Sequence, residues 1–365
     1  MTFYPGKLTI DLGALSRNYA LLQEKAGADC AVAGVVKANG YGLGIVPVVR
    51  SLAKAGCETF FVATPEEGSK VREILPKAQI AILGGLYKGA EDFYAAHNLI
   101  PVIGSLEECA RYKNGAGGPK PAILHFDTGM NRLGFGLDET PVLLEDLGRL
   151  EGLDVKMIIS HFACADEKDH EMNDAQYERF KAVAAHFPKA QKSLANSSGV
   201  FRDPRYHFNV ARPGMALYGL NPTPEAPNPM RPVVSLDVRV LQIREVKAGE
   251  TTGYGASYRH EKDTVTATVA MGYADGILRA LSNKGRLYWQ GQALSILGRV
   301  SMDSITIDLG GLAESKRPKV GDYLEVIGPH QSADDLATQA GTIGYEILTS
   351  LGERYERVYL GTEPL

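Results

Sequence analysis

Short apolar runs alternate with amphipathic stretches from Ala31 to Ala211. The runs are rich in Val, Ile and Ala, and the stretches between them carry apolar residues at helical spacing, the rhythm of βα units. The predicted strands are 31–37, 59–63, 80–84, 99–103, 121–126, 155–161, 191–196 and 207–211. The predicted helices are 46–55, 65–75, 91–96, 106–112, 141–147 and 175–187.

Parallel strands that are apolar throughout favour a closed (β/α)8 barrel, because its strands are buried on both faces. A doubly wound open sheet is the alternative. The barrel is favoured because polar residues appear abruptly where predicted strands end, and a barrel places those ends on one rim. These residues are Lys37, Asp127, His161, Asn196 with Ser197, and Arg212.

A proline-rich segment marks a domain boundary. Five prolines fall between Pro222 and Pro232, a composition that resists both helix and sheet. Beyond it, long segments of alternating polarity predict a mainly β domain. We expect an α/β barrel domain at 8–230 and a mainly β domain at 231–365 that includes residues 1–7. The run KLTIDL at 7–12 is a candidate to pair with that second domain.

Composition narrows the functional class. A chain of 365 residues is expected to form two domains. The net charge is −4 and the basic residues are scattered, which argues against a nucleic acid or an anionic membrane as partner. The N-terminus lacks the features of a signal peptide, and no apolar run approaches a membrane span. We therefore expect a cytoplasmic protein.

The cysteines do not indicate a metal site. Cys30, Cys57, Cys109 and Cys164 lie far apart, with no C-x-x-C and no H-E-x-x-H in the chain. Small buried thiols in a reducing compartment explain them. We expect no metal.

The segment VVKANGYGLG at 35–44 places Lys37 at the end of an apolar strand, before a glycine-rich loop. Apolar surroundings disfavour the charged amine and lower its pKa, which makes it competent for imine formation. A solvated structural lysine is the alternative.

Two later segments, ANSSG at 195–199 and ARPGMALYG at 211–219, end the seventh and eighth strands. The loops after these strands are where such barrels bind phosphate. Asn196, Ser197 and the amide of Gly214 are suitable donors, although a plain turn also explains the first segment.

Two arginines and a histidine complete the predicted rim. If a cofactor with a pyridine ring bound beside Arg212, its ring nitrogen would accept a hydrogen bond from the guanidinium without taking a proton, because guanidinium stays charged. The ring would then stabilise a carbanion less, which suits racemisation. Arg132, in the segment 125–136, presents a planar fork for a carboxylate or a phenolic oxygen. His161 is a candidate to orient Arg212, or a structural histidine.

If the chain catalysed racemisation, a proton would leave one face of a planar carbon and another would be added to the opposite face, and a single lysine reaches only one face. The second carrier must come from outside the barrel. Tyr254, between Gly253 and Gly255, is the candidate, with a core tyrosine as the alternative.

Together these segments resemble the alanine racemase family over essentially the whole chain. The resemblance implies that Lys37 carries pyridoxal 5'-phosphate (PLP) and acts as the base on D-alanine, with Tyr41 near the phosphate. It implies a homodimer in which Tyr254 of the other subunit is the base for L-alanine. It also implies that His161 lies beside Arg212 at the pyridine nitrogen. Further implied positions are Asn196, Ser197, Gly214, Met215 and Tyr345 at the phosphate, Arg132 at the phenolic oxygen and substrate carboxylate, and Tyr273 and Met302 on the substrate side.

One position departs from the family pattern. Many relatives carry a lysine, often carbamylated, seven residues before the arginine, and here that residue is His125. Histidine forms no such stable carbamate, so how Arg132 is held is open.

Other functions on this architecture remain as alternatives. A decarboxylase would need an acidic residue at the pyridine nitrogen and a C-terminal cysteine, and no cysteine follows Cys164. The other hypotheses are a serine racemase, a broad-specificity racemase and a non-catalytic PLP carrier. The first expectation is an alanine racemase that supplies D-alanine for peptidoglycan.

Overall fold

The computed structural model describes residues 3–113 and 118–361, and the chain forms two compact units. One unit is Ala14–Arg231, and the other combines Met1–Gly13 with Pro232–Leu365. Residues 1–2 and 362–365 of the predicted second domain lie outside the described residues.

The Ala14–Arg231 unit is an eight-stranded parallel barrel surrounded by helices. Seven strands form one sheet in chain order, and the eighth pairs with the start of the first. The Asn209 amide donates to the Lys192 carbonyl at 3.0 Å and the Arg212 amide to the Ala195 carbonyl at 2.9 Å, which joins the seventh strand to the eighth. The barrel is therefore closed, and the open sheet is excluded. Its strands are Ala31–Val32 continued by Gly34–Val35, Thr59–Val62, Gln79–Ile82, Ile100–Ile103, Lys120–His125, Leu153–Ile159, Gln191–Ser193 and Val210–Ala211.

The barrel strands are apolar because they are covered on both faces. All of Ile100–Ile103 is buried, and Phe60, Phe61 and Val62 of the second strand have no exposed surface. All six predicted helices are present, with ends shifted by at most three residues. The α-helices of this part of the chain are Leu12–Ala26, Ile45–Lys54, Pro65–Ile74, Glu91–Ala96, Leu106–Lys113, Glu139–Glu145, Met172–Ala184 and Ser197–Arg202, and Lys37–Tyr41 forms a single left-handed turn.

The second unit is built on an eight-stranded, mostly antiparallel sheet. Six of its strands close into a barrel, because Val234–Val246 pairs with both Tyr323–Ile327 and Thr264–Val269. The main strands are Gly6–Asp11, Val234–Val246, Thr264–Val269, Arg286–Trp289, Gln292–Leu297, Ile305–Asp308, Tyr323–Ile327 and Glu356–Leu360. A short pair, Thr251–Thr252 and Tyr258–Arg259, and the α-helices Ala333–Ala340 and Gly344–Ser350 complete the unit.

The N-terminal strand Gly6–Asp11 extends this sheet. It pairs antiparallel with Val234–Val246 and parallel with Glu356–Leu360, as the run KLTIDL suggested. The structural boundary near the N-terminus therefore lies between Gly13 and Ala14, and the boundary expected at residue 8 came too early. Within the described residues, no helix is long and apolar enough to cross a membrane.

Candidate active site

Lys37 follows the first barrel strand and opens a left-handed turn. Ala38, Asn39, Gly40 and Tyr41 all have positive φ, between 52° and 63°. This conformation costs non-glycine residues about 1–2 kcal/mol each, so the surroundings must enforce it. The Ile45 amide donates to Asn39 Oδ1 at 2.9 Å, which fastens the turn to the next helix. Strain of this kind is concentrated at functional sites. The strand predicted to reach residue 37 ends at Val35 for the same reason.

The environment of Lys37 favours the neutral amine. Burial lowers its pKa, and the positive charge of Arg132 lowers it further, while Glu67 acts in the opposite direction. A larger fraction of the amine is thus unprotonated and nucleophilic near neutral pH. This is the electrostatic state predicted from the sequence.

Arg212 is buried, with 4% of its surface exposed. Its Nη1 donates to the Ser193 carbonyl at 2.8 Å and to the Ser193 hydroxyl, and its Nη2 donates to the Ser160 carbonyl. Burial lowers the pKa of Arg212 to about 9, which still leaves the guanidinium charged at neutral pH. Backbone carbonyls and a hydroxyl, not carboxylates, therefore hold an undiminished positive charge in the barrel.

His161 lies beside this arginine and is neutral. Its Nδ1 is 3.5 Å from Arg212 Nη2, and because guanidinium only donates, Nδ1 must present a lone pair. Burial is the main cause that holds the pKa of His161 well below its usual range, followed by the charges of Arg212 and Arg132. His125 and Lys37 also contribute. Arg212, Arg132 and Lys37, three of the groups predicted for one rim, thus lie within electrostatic reach of His161.

The segments after the seventh and eighth strands form a small cradle. Ser197 Oγ accepts from the amides of Gly214 at 3.0 Å and Ala216 at 3.2 Å. Its own proton is left for a further acceptor. Asn196 Oδ1 accepts from the Gly199 amide at 3.0 Å and begins the helix Ser197–Arg202.

Tyr41 forms the opposite side of the cradle. Its ring stacks on Tyr218 with centroids 4.4 Å apart, and a Cβ on Gly214 would overlap its hydroxyl oxygen. Met215 is buried at the start of the next turn. The Ser197 and Tyr41 hydroxyl groups on the two sides of the cradle are donors of the kind that an anionic oxygen group requires.

Arg132 lies on a loop whose two ends are tied together. The Asp127 amide donates to the Phe135 carbonyl at 3.0 Å and the Phe135 amide to the His125 carbonyl at 2.8 Å. Phe126 and Phe135 pack with centroids 5.2 Å apart. Arg132 itself is exposed, and its guanidinium has no hydrogen-bond partner within residues 3–113 and 118–361. His125 is neutral, because burial and the charge of Arg212 lower its pKa to about 4.

The remaining predicted residues lie in the second unit. Tyr254 and Tyr273 line a cleft of about 300 Å³ together with Arg279, Val300 and Ser301. Tyr254 is 71% exposed, Tyr273 45% and Met302 53%. Tyr345 lies on the helix Gly344–Ser350 and is also partly exposed. Large exposed side chains around one cleft are typical of a surface that binds a ligand or another protein.

A buried carboxylate that the sequence did not single out supports this cleft. Asp275 is 1% exposed. It accepts from the Gly272 amide at 2.9 Å and from Arg354 Nε at 2.6 Å, and Arg354 Nη1 also donates to Asp303 at 2.7 Å. The Ala274 amide donates to the Met302 carbonyl at 3.0 Å. The loops of Tyr273 and Met302 are thus held by one ion-pair network.

One group of side chains in the described part of the chain has potential metal ligands. Atoms of Cys164, Glu167 and His170 lie within 4.8 Å of one another. However, His170 Nδ1 accepts from the Met172 amide at 3.1 Å, which places the ring proton on Nε2 and leaves neither nitrogen a free lone pair. The group is not a preformed metal site, and the expected absence of a metal stays a prediction.

Comparison with known proteins matches both parts of the chain to one family. The family model "Alanine racemase, N-terminal domain" matches residues 10–222, and "Alanine racemase, C-terminal domain" matches residues 233–359. The chain is 48% identical to the alanine racemase of Acidiphilium cryptum over 96% of this chain and 98% of that protein. It is 46% identical to a catabolic alanine racemase of Mesorhizobium japonicum over 97% of this chain and 93% of that protein.

Solved structures agree. The alanine racemase of Bartonella henselae with covalently bound pyridoxal phosphate superimposes with a TM-score of 0.93 at 40% identity, covering 98% of this chain and 99% of that chain. The biosynthetic alanine racemase of Pseudomonas aeruginosa gives 0.90 at 35% identity, with 98% and 99% covered.

Proposed function

This chain belongs to the alanine racemase family, and from that membership we infer that it is a PLP-dependent isomerase that interconverts L-alanine and D-alanine. The resemblance seen in the sequence is confirmed by both family models. The decarboxylase alternative is set aside, because close relatives over nearly the full length are racemases.

The residues of the barrel fit the cofactor. Lys37 would hold it covalently, and the cradle of Tyr41, Asn196, Ser197, Gly214 and Met215 would hold its phosphate. The observation that supports this assignment most strongly is that one barrel carries both the cradle and the Lys37 amine, whose pKa is lowered by burial and by the charge of Arg132. When bound, PLP supplies an electron-withdrawing ring that makes the α-proton of alanine more acidic.

Two proton carriers act on opposite faces of the substrate in this proposal. Lys37 removes or returns the α-proton on the D side. Tyr254 does the same on the L side through its phenolic oxygen. The 71% exposure of Tyr254 supports a role toward a group outside its own unit, because a core tyrosine would be covered.

Arg212 and His161 tune the reaction. The charged guanidinium would donate a hydrogen bond to the pyridine nitrogen of bound PLP and keep its own proton, since three oxygen atoms already hold it. This favours fast reprotonation of the α-carbon over side reactions. Arg132 binds the alanine carboxylate or the phenolic oxygen, and its lack of a protein partner in the described residues supports that role. The Met302 amide and Tyr273 contact the substrate side, and Tyr345 the phosphate.

We further propose that the enzyme is a homodimer with shared sites, in which Tyr254, Tyr273 and Met302 of the partner subunit complete the site around Lys37. Their exposure supports this arrangement, as a second protomer would cover them. The proposed role is to supply D-alanine for peptidoglycan in the cytoplasm. The likeness to a biosynthetic racemase supports this role and the four free cysteines support the cytoplasm, while the likeness to a catabolic racemase supports alanine breakdown as the alternative role. Growth of a strain that lacks the gene, with and without added D-alanine, tests which role the enzyme has.

A chiral assay tests the function directly. Purified protein with and without added PLP is given L-alanine, D-alanine, serine and a panel of other amino acids. We expect alanine to be interconverted fastest and only with PLP. Faster serine conversion would make it a serine racemase, and bound PLP without any conversion would make it a carrier.

A further inference from the structure

Gln176 is a buried polar residue outside the predicted site that contacts two of its strand ends. It lies on the helix Met172–Ala184 and has no exposed surface. Its Nε2 donates to the His161 carbonyl at 2.8 Å and to Thr128 Oγ1 at 3.2 Å, while its Oε1 accepts from the Ala163 amide at 2.8 Å.

These partners fix the amide in one orientation. The His161 carbonyl can only accept and the Ala163 amide can only donate, so Nε2 and Oε1 cannot exchange places. The contact with Thr128 is buried and the other two are partly buried, and a buried donor or acceptor that loses its partner costs about 1–3 kcal/mol. Gln176 therefore hydrogen-bonds the backbone on both sides of the buried Phe162, at the His161 carbonyl and the Ala163 amide. These bonds fix the backbone at His161.

The same amide reaches the start of the Arg132 loop. Thr128 Oγ1 lies 2.7 Å from Ser160 Oγ, and the Ser160 carbonyl accepts from Arg212 Nη2. The Thr128 carbonyl accepts from Arg179 Nη1, on the same helix as Gln176, at 2.8 Å. The helix Met172–Ala184 thus binds Thr128, which precedes Arg132, and the strand end at His161. Through Thr128 it also reaches Ser160, whose carbonyl accepts from Arg212.

We propose that Gln176 is a positioning residue of the active site, which sets the Arg132 loop and His161 relative to Arg212. It accounts for part of how the Arg132 loop is held in a chain that has His125 where many relatives carry a modified lysine. The proposal rests on the proposed function, because it assigns the role of Gln176 through residues given roles there.

The experiment compares Gln176→Met with Asn173→Leu in the full-length, PLP-loaded enzyme. Asn173 is a matched control, since it is a buried amide on the same helix, and within the described residues its Nδ2 donates to the Glu167 carbonyl alone, at 2.9 Å. We measure kcat and KM for both alanine enantiomers, the Kd of PLP for the apoenzyme and Tm. For Gln176→Met we expect kcat/KM to fall about tenfold or more, KM to rise, and PLP to bind more weakly. For Asn173→Leu we expect kcat/KM within about twofold of wild type.

If the two variants lower kcat/KM equally at matched loss of Tm, Gln176 is only a packing residue and the proposal is wrong. Gln176→Glu keeps an acceptor for the Ala163 amide and loses the donors to Thr128 and His161. It covers the case in which Gln176→Met does not fold, and we expect the same rise in KM. A wild-type protein that binds PLP and racemises nothing would instead overturn the proposed function, whatever the variants do to PLP affinity.

Discussion

Gly214 and Tyr41 approach each other so closely that only glycine fits between the backbone of the eighth barrel segment and the tyrosine ring. A Cβ on Gly214 would overlap the Tyr41 hydroxyl oxygen and lie 3.0 Å from Cζ. The Tyr41 ring cannot retreat, because it stacks on Tyr218, whose hydroxyl donates to the Val35 carbonyl at 3.0 Å. The close approach brings a phenol, an amide and the Ser197 hydroxyl around one point.

Gly214→Ala is therefore expected to weaken PLP binding. Overpacking of this kind costs about 1–3 kcal/mol, so the Kd of PLP measured by fluorescence titration of the apoenzyme should rise about tenfold or more. Gly311→Ala is the control, since a Cβ there meets nothing within 4 Å. An unchanged Kd in Gly214→Ala would show that the cradle does not hold the phosphate.

The barrel could be predicted because its strands are short continuous apolar runs, as Ile100–Ile103 shows. The helix Leu12–Ala26 was missed although its signal is present. Leu12, Leu15, Tyr19 and Leu22 recur at spacings of three and four, and all four are buried.

The left-handed turn after Lys37 had a weaker signal. Gly40 is the only glycine among the four residues with positive φ, and nothing in Ala38 predicts that conformation. Gln176 and Asp275 could not be found from the sequence. Their roles come from tertiary hydrogen bonds, and an isolated polar residue on a helix or in a turn is ordinarily exposed.

Covalent attachment at Lys37 can be tested by chemistry. We expect borohydride reduction of the PLP-loaded enzyme to fix the cofactor to the peptide that contains Lys37, because its lowered pKa favours bond formation at neutral pH. Lys37→Ala should carry no label, and Lys88→Ala, which changes an exposed lysine, should be labelled normally. Label on another peptide would overturn the assignment.

His125 makes stability depend on pH in a defined direction. Its pKa is about 4 in the folded state and about 6.5 in the unfolded chain. Between these values the unfolded state binds the extra proton, so the free energy of unfolding falls as the pH falls from about 6.5 to 4, by no more than about 3 kcal/mol. Urea unfolding of His125→Gln should show a smaller loss over this window. His186→Gln, at an exposed histidine, should match the wild type, and an equal pH slope in both variants would refute the prediction.

Asp275 and Arg354 offer a test of the cleft in the second unit. Arg354→Met leaves the buried Asp275 carboxylate without its partner, and we expect a loss of about 2–3 kcal/mol in the free energy of unfolding. Asp303→Asn removes only the exposed arm of the network, where the carboxylate is 63% exposed, and should cost less than about 1 kcal/mol. Similar losses of unfolding free energy in both variants would mean that the burial of Asp275 does not determine the cost of removing Arg354.

The proposed sharing of sites between two protomers predicts a result that a site built from one chain would not give. Lys37→Ala and Tyr254→Phe should each abolish conversion of L-alanine, the second with PLP still bound. When the two variants are unfolded, mixed equally and refolded together, half of the dimers are hybrids. In a hybrid with shared sites, Lys37 from one protomer meets Tyr254 from the other, so one site in two is intact and about a quarter of wild-type activity returns.

If each chain used its own Tyr254, every hybrid site would carry one lesion and no activity would return. Tyr87→Phe, at a partly exposed tyrosine of the barrel unit, is the matched control and should remain active alone. Racemisation needs proton carriers on both faces of the α-carbon. Recovery in the mixture would therefore show that the second carrier crosses from the neighbouring molecule.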